Sequence, residues 1–223
     1  MKTVVVSFYM DTMPVEMVRA QAEVISRFLP LDWAFHQINT AYSHAESVDN
    51  FLAATRYKTV VLLDIDCIPL HRAAFGLLAD DVSSTQIVGC AQRANHIPND
   101  GHLYAGPFCC AFDRDLFEAV GRPSFAATPR GDCGEELTYA CEEHGKVVRL
   151  WWPSAVETPR WKLTDEISFG IGTEYEGRFW HLFESRFDHN RDRFLAKCHE
   201  TIEADIRSHS YRLEDTRRAI HSS

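Results

Sequence analysis

Two aspartates follow the most apolar strand pattern in the chain. The run Thr59–Leu63 reads TVVLL, and Asp64, Ile65 and Asp66 come directly after it. In an extended segment, alternate side chains point to the same side, so both carboxylates would lie together just beyond the strand. Two like charges this close are unfavourable unless they share a cation or a ligand hydroxyl, and carboxylate oxygens suit Mg²⁺ or Mn²⁺. The spacing predicts a divalent metal site, with a solvated strand end as the plainer alternative.

Two other places in the sequence carry groups that could do chemistry. The segment GDCGEEL contains Asp132, Glu135 and Glu136, and His181 lies in FWHLF. One acid at a helix start is explained by capping, but three acids among five residues exceed what a cap requires. Such a carboxylate could act as a general base toward a hydroxyl group. His181 taken alone is more often a packed core histidine than a ligand.

Composition limits the possible partners of the protein. The 223 residues contain 23 Lys and Arg against 32 Asp and Glu, a formal charge of −9. This balance excludes a broad nucleic-acid-binding face, because Lys and Arg supply most of the affinity for phosphates. The sequence shows no pattern for membrane insertion and no signal peptide, and its seven cysteines lack C-x-x-C spacing. These features favour a cytoplasmic protein with reduced thiols and no zinc site.

The elements that position these groups alternate along the first two thirds of the chain. Short β-branched runs alternate with helical patterns, which predicts an α/β fold with a central, mainly parallel sheet flanked by helices. In such sheets ligands bind beyond the carboxyl ends of the strands, where Asp64 and Asp66 would lie. The predicted strands are 3–9, 33–38, 59–63, 86–90, 108–112 and 147–152, and the predicted helices are 14–29, 44–55, 75–78, 114–120 and 135–144.

The last third of the chain has a different pattern. Residues 164–177 contain three glycines without a convincing period, which predicts a mobile loop. Residues 191–218 have apolar positions at helical spacing. We therefore expect one domain over residues 1–187 and a C-terminal helical extension over residues 188–223 that packs on it.

The segment TVVLLDIDCIPL resembles the strand and D-x-D motif of GT-A-fold glycosyltransferases, which use nucleotide sugars as donors. Three further segments are similar to motifs of that class and occur in the same order. These are LYAGPFCCAF at 103–112, the GEE sequence at 134–136 and FWHLF around His181. The resemblance runs from about residue 3 to residue 187 and covers most of the chain.

The resemblance implies a metal-dependent hexosyltransferase of the inverting type. Its cofactor would be Mn²⁺ or Mg²⁺, its donor a nucleoside diphosphate sugar, with UDP-sugars as the family-level expectation, and its acceptor an unidentified hydroxyl compound. Asp66 would bind the metal directly, Asp64 would reach the metal or the donor ribose, and His181 would be the third protein ligand. Gly106 would allow the backbone to approach the donor.

The same resemblance assigns the catalytic base to the acidic segment. Glu136 is the first expectation and Asp132 the second, with Glu135 as the remaining acid. The family more often has Asp at the second acidic position, where this chain has Glu136.

Aromatic residues are candidates for binding the donor base and the acceptor. Ser7, Phe8 and Tyr9 end the first strand and could contact the base, although Phe8 is equally well explained as a core residue. Three tryptophans could stack on a sugar acceptor, although packing explains most tryptophans; they are Trp151, Trp152 and Trp161.

Two alternatives remain open. A haloacid-dehalogenase-like phosphatase or phosphotransferase also places D-x-D after an apolar strand, but there the motif normally follows the first strand rather than the third. A non-catalytic protein of the same fold could bind a sugar nucleotide without turnover.

Overall fold

The computed structural model describes residues 2–185 and 187–221, with the side chains of the last helix described over 190–208. It contains ten strands and six helices among these residues. The strands are β1 Thr3–Tyr9, β2 Ala34–Asn39, β3 Thr59–Leu63, β4 Cys67–Pro69, β5 Gln86–Arg93, β6 Leu103–Asp113, β7 Val147–Trp151, β8 Pro153–Lys162, β9 Ser168–Tyr175 and β10 Phe179–Leu182. The helices are α1 Val15–Phe28, α2 His44–Ala54, α3 Ala74–Asp80, α4 Arg114–Ala119, α5 Glu135–Glu143 and α6 Asp188–His221.

The main sheet has six strands in the order β2-β1-β3-β6-β5-β7. The pairs β1–β2, β1–β3 and β5–β7 are parallel, and only β6 runs antiparallel to its neighbours β3 and β5. The central strand β3 is covered on both faces, because Val61 and Leu63 join one apolar cluster while Val60 and Leu62 join another. This arrangement confirms the predicted α/β fold with a mostly parallel central sheet, and a strand buried on both faces explains the unbroken apolar run.

A second, antiparallel sheet has the order β4-β10-β9-β8. Its strand β9 is mostly buried and occupies the segment for which the sequence predicts a mobile loop, so that prediction was wrong. The glycines there serve close packing: a Cβ at Gly170 would lie 2.2 Å from the carbonyl oxygen of Thr158 on β8. Glycine in a strand often marks such a close backbone approach, which the sequence pattern alone does not reveal.

The second sheet brings the end of the chain to the end of β3. Strand β4 begins directly after Asp66, and β10 pairs with it so that His181 lies opposite Cys67. The N–H of Leu182 donates to the carbonyl oxygen of Asp66 at 3.0 Å. This pairing, rather than the main sheet, places His181 beside the two aspartates.

Helix α6 packs against α1. Phe194 and Cys198 are buried, and the Asp205 carboxylate accepts hydrogen bonds from Arg27 Nε at 2.7 Å and Arg72 Nε at 2.8 Å. The division into a domain and a helical extension stays a prediction, and residues 1, 186, 222 and 223 of these predicted units lie outside the described residues. None of the described helices combines the length and apolar character needed to cross a bilayer.

Candidate functional site

A cavity of about 300 Å³ opens beyond the carboxyl end of β3. It is lined by four of the residues singled out by sequence, which are Asp64, Asp66, Asp132 and His181. They come from the β3–β4 connection, from the loop before α5 and from β10. Residues from three distant parts of the chain therefore converge at the position where α/β sheets bind ligands.

Asp64, Asp66 and His181 lie close enough together to hold one metal ion. Each offers a ligand atom, and these atoms all lie within 4.8 Å of one another. His181 Nε2 is 3.1 Å from Asp66 Oδ1. Two ligands about 2.1 Å from one octahedral ion would be about 3.0 Å apart, so this spacing fits a shared ion. Two carboxylates with one imidazole are a donor set that can bind a divalent metal ion.

His181 is held in place by aromatic packing. The ring of Phe108 stacks on its imidazole with centroids 4.2 Å apart and an angle of 9° between the planes. His181 is only 4% exposed, and its Nδ1 atom is buried without a hydrogen-bond partner among the described residues. Nε2, the ring nitrogen beside Asp66, is the one positioned to bind a ligand in the cavity, and the packing of Phe108 fixes the ring in this orientation.

Gly106 contributes to the site through its neighbours. It does not line the cavity, whereas Phe108 and Gln92 do. A Cβ at Gly106 would lie 2.3 Å from Phe108 Cε1 and 2.6 Å from Gln92 Oε1. The absence of a side chain at this position is therefore what allows the ring of Phe108 to lie against His181.

Sequence reasoning missed His44, which also lines this cavity. Its Nε2 is 3.1 Å from Asp64 Oδ1, and its Nδ1 is 3.7 Å from the sulfur of Cys133. The only available signal was the capping box of Ser43 and Glu46, which starts α2 and so fixes His44 in the first turn.

The contact between His44 and Asp64 shifts the pKa of both groups. Burial lowers the pKa of His44, but the charge of Asp64 and the hydrogen bonds with Asp64 and Cys133 together outweigh burial and raise this pKa well above the usual value. Burial raises the pKa of Asp64, but the charges of His44 and His181 and the hydrogen bond from His44 lower it overall. The lowered pKa of Asp64 keeps its carboxylate ionised, which is the form that binds cations.

The acids around the start of α5 have different environments. Asp132 lines the cavity, and its backbone N–H donates to Glu135 Oε2 at 2.8 Å. Glu135 is completely buried and also accepts a hydrogen bond from Asn99 Nδ2 at 2.8 Å, with His102 Nδ1 at 2.7 Å from the same oxygen. Glu135 therefore fixes the backbone of the loop that carries Asp132.

Glu136 is not among the residues that line this cavity. Its carboxylate accepts hydrogen bonds from Thr128 Oγ1 at 2.7 Å and from the guanidinium of Arg130 at 2.6 Å. The hydrogen bond from Arg130 lowers the pKa of Glu136, against a smaller effect of burial. A carboxylate already paired with a guanidinium is a weak proton acceptor.

The three residues predicted to contact the nucleobase of the donor lie in different places. Phe8 is 9% exposed and forms part of the wall of a separate cavity of about 360 Å³ beside the ends of β1 and β2. Its ring contacts those of Phe51 and His44. Ser7 is fully buried and its Oγ has no partner among the described residues, while Tyr9 does not line this cavity.

The chain has a GT-A-like α/β fold. No protein-family model matches it. No curated protein sequence matches it either.

Among solved structures, the mannosyltransferase PcManGT from Pyrobaculum calidifontis, in complex with GDP-Man and Mn²⁺, is similar with a TM-score of 0.51 and 13% identity. The match covers 67% of this chain and 54% of that chain, so this protein corresponds to about half of the mannosyltransferase. A nucleotidyl transferase from Methanothermobacter thermautotroptrophicus matches with a TM-score of 0.45 and 8% identity, over 69% of this chain and 88% of that chain. At 13% identity the likeness to the mannosyltransferase concerns the fold alone.

Proposed function

We propose that the protein is a metal-dependent glycosyltransferase that moves a sugar from a nucleoside diphosphate sugar to an acceptor hydroxyl. The observation that carries this proposal is the convergence of Asp64, Asp66 and His181 in one cavity at the end of β3. The fold shared with a mannosyltransferase supports it.

The three clustered side chains would hold the divalent ion. The described residues that line this cavity include no Lys or Arg, and the charge on His44 is paired with Asp64. A bound Mn²⁺ or Mg²⁺ would supply the positive charge that stabilises the departing diphosphate. Asp64 is oriented by His44 and could also accept a hydrogen bond from the donor ribose.

We assign the base to Asp132 rather than to Glu136. Asp132 lies on the cavity wall, whereas Glu136 is held by Arg130. The acceptor oxygen would attack the anomeric carbon while its proton passes to the Asp132 carboxylate. The bond from that carbon to the diphosphate oxygen breaks, and its electron pair leaves with the diphosphate. Attack opposite the leaving group inverts the anomeric configuration.

The nucleoside would extend from the aspartates toward Phe8. His44 connects the two places, since it contacts Asp64 on one side and the ring of Phe8 on the other. The cavity beside Phe8 has an aromatic wall and the polar side chains of Asn39 and Asn50, which suit a nucleobase. UDP-sugars and a cytoplasmic location remain predictions from the sequence.

Product analysis tests the reaction class. The protein with Mn²⁺ is incubated with UDP-, GDP- and dTDP-sugars and mixed saccharide acceptors, and in parallel with nucleoside triphosphates and sugar phosphates. The expected products are a nucleoside diphosphate and a glycoside with inverted configuration. Release of pyrophosphate from a triphosphate would show nucleotidyl transfer instead, and hydrolysis of an aryl phosphate would show a phosphatase.

Two substitutions complete this test. Asp66→Asn should abolish product formation, while Asp32→Asn, at an exposed aspartate in a turn, should leave it unchanged. Equal activity of both variants would contradict the assigned site.

A further inference from the structure

A second cavity of about 380 Å³ adjoins the first. The two share Gln92, Asp132 and Phe183 in their walls. A molecule in the second cavity would therefore reach Asp132 without displacing anything bound at Asp64 and Asp66. Its size is in the range of sites for small organic molecules.

One wall of this cavity is aromatic. Trp161 on β8, Phe169 on β9 and Phe183 pack on one another with centroid distances of 5.3 to 5.6 Å. Phe169 is 3% exposed, whereas the indole of Trp161 is only half-buried. The negative face of such a ring attracts the slightly positive C–H groups of a sugar ring.

The cavity is also lined by Arg93, a cation without a partner among the described residues. Arg93 ends strand β5 and forms no ion pair with any residue in the described part of the chain, and its buried Nε has no hydrogen-bond partner there. Gly101 leaves room for it, because a Cβ at that position would lie 2.7 Å from Arg93 Nη2. The fork of N–H donors on a guanidinium suits a carboxylate or a phosphate, and a half-buried cation without a partner is unfavourable until one binds.

Two further residues of this cavity suit hydroxyl groups. Gln92 Oε1 is buried without a donor among the described residues. Asp132 faces the same cavity and carries the negative charge that would repel an anion bound close to it. An anionic group would therefore lie at the Arg93 end, and the neutral hydroxyls would lie toward Asp132.

We propose that this second cavity binds the acceptor and that the acceptor is an acidic saccharide. Its ring stacks on Trp161, its carboxylate or phosphate binds Arg93, and one of its hydroxyl groups faces Asp132. This assignment rests on the proposed glycosyl transfer for its catalytic meaning. The binding of an acidic saccharide is a separate property and can be measured without turnover.

Binding is measured by saturation-transfer NMR and calorimetry on the full chain with three probes: glucuronic acid, glucose 6-phosphate and glucose. Each titration is run on the protein alone and again with Mn²⁺ and a mixture of uridine and guanosine diphosphates, so that ordered binding is detected. We expect both acidic probes, or one of them, to bind at least about tenfold more tightly than glucose, as the loss of a charged hydrogen bond predicts. The preferred probe distinguishes a carboxylate from a phosphate.

The variants separate this inference from the proposed function. Arg93→Gln should remove the preference for the acidic probe without changing the affinity for glucose, and Trp161→Ala should weaken all three probes. Arg149→Gln, an exposed arginine on β7 that lines neither cavity, should change nothing. Equal affinity for acidic and neutral probes, or no saccharide binding under either condition, would overturn the proposal. Acidic-saccharide binding, combined with glycosyl transfer to other acceptors but not to the acidic saccharide, would leave the binding site standing and contradict its assignment to the acceptor.

Discussion

Replacing Gly106 with alanine tests how the ring of Phe108, which packs on His181, holds this predicted metal ligand in position. The new Cβ would lie 2.3 Å from Phe108 Cε1, where ordinary contacts begin at 3.4 Å, so the ring would have to move by about 1 Å. Phe108 is 2% exposed and lies between His181, Tyr175 and Phe183. The ring of Phe108 stacks directly on the imidazole of His181, so a displacement of the ring is expected to shift His181.

The expected magnitude has two parts. Overpacking of a dense core costs about 1–3 kcal/mol of unfolding free energy, which urea denaturation measures. Displacing a residue that orients a metal ligand weakens metal affinity by roughly 10–100-fold, which a Mn²⁺ titration measures. Gly106→Ala should show both effects.

Gly76→Ala is the matched control. A Cβ at Gly76 meets nothing within 4 Å, and this glycine lies inside α3, where alanine should stabilise by about 0.5–1 kcal/mol. Unchanged Mn²⁺ affinity in a folded Gly106→Ala variant would refute the link from Gly106 through Phe108 to His181.

Three further predictions concern carboxylates. Asp205→Asn should lower the free energy of unfolding by about 1–2 kcal/mol near pH 7. The hydrogen bond from Arg72, opposed by burial and helped by Arg27, lowers the pKa of Asp205. The contribution of Asp205 to stability is therefore complete above about pH 4. The difference between Asp205→Asn and the native chain in urea should therefore shrink as pH falls further, and a constant difference would argue against the ion pairs. Glu135→Ala should destabilise by about 2 kcal/mol or more, since it leaves buried donors unpaired; a neutral effect in thermal unfolding would contradict its role. Glu136→Gln should keep most of the transferase activity, and full loss in a folded variant would restore Glu136 as the base.

The D-x-D pattern could be predicted from sequence because both of its determinants are local. An unbroken apolar run indicates a strand covered on both faces, and period-two alternation then fixes the two aspartates. The order along the chain of the main-sheet strands and the helices between them follows from similar local patterns.

The second sheet could not be predicted in the same way. In strand β9, the residue types at Gly170, Gly172 and Thr173 are explained by contacts with the neighbouring strand or by a bend within β9 itself. Neither cause produces a recognisable sequence pattern. His181 could be placed beside Asp66 only through the resemblance, because pairing of β10 with β4 joins segments far apart in the chain.

The choice among the acids depended on where α5 begins. Gly134 adopts a positive φ of 78° directly before the helix, which leaves Asp132 in the preceding loop and Glu136 in the first turn. The partner of Glu136 is Arg130, six residues earlier, in a loop whose conformation local propensity does not determine.

Binding of Mn²⁺ followed by the electron paramagnetic resonance signal of the free ion is the most direct test of the central claim. The native chain and Asp32→Asn should each bind one ion at the cluster of Asp64, Asp66 and His181, while Asp66→Asn and His181→Phe should bind it at least about tenfold more weakly. Equal Mn²⁺ affinity in all four proteins would contradict the account.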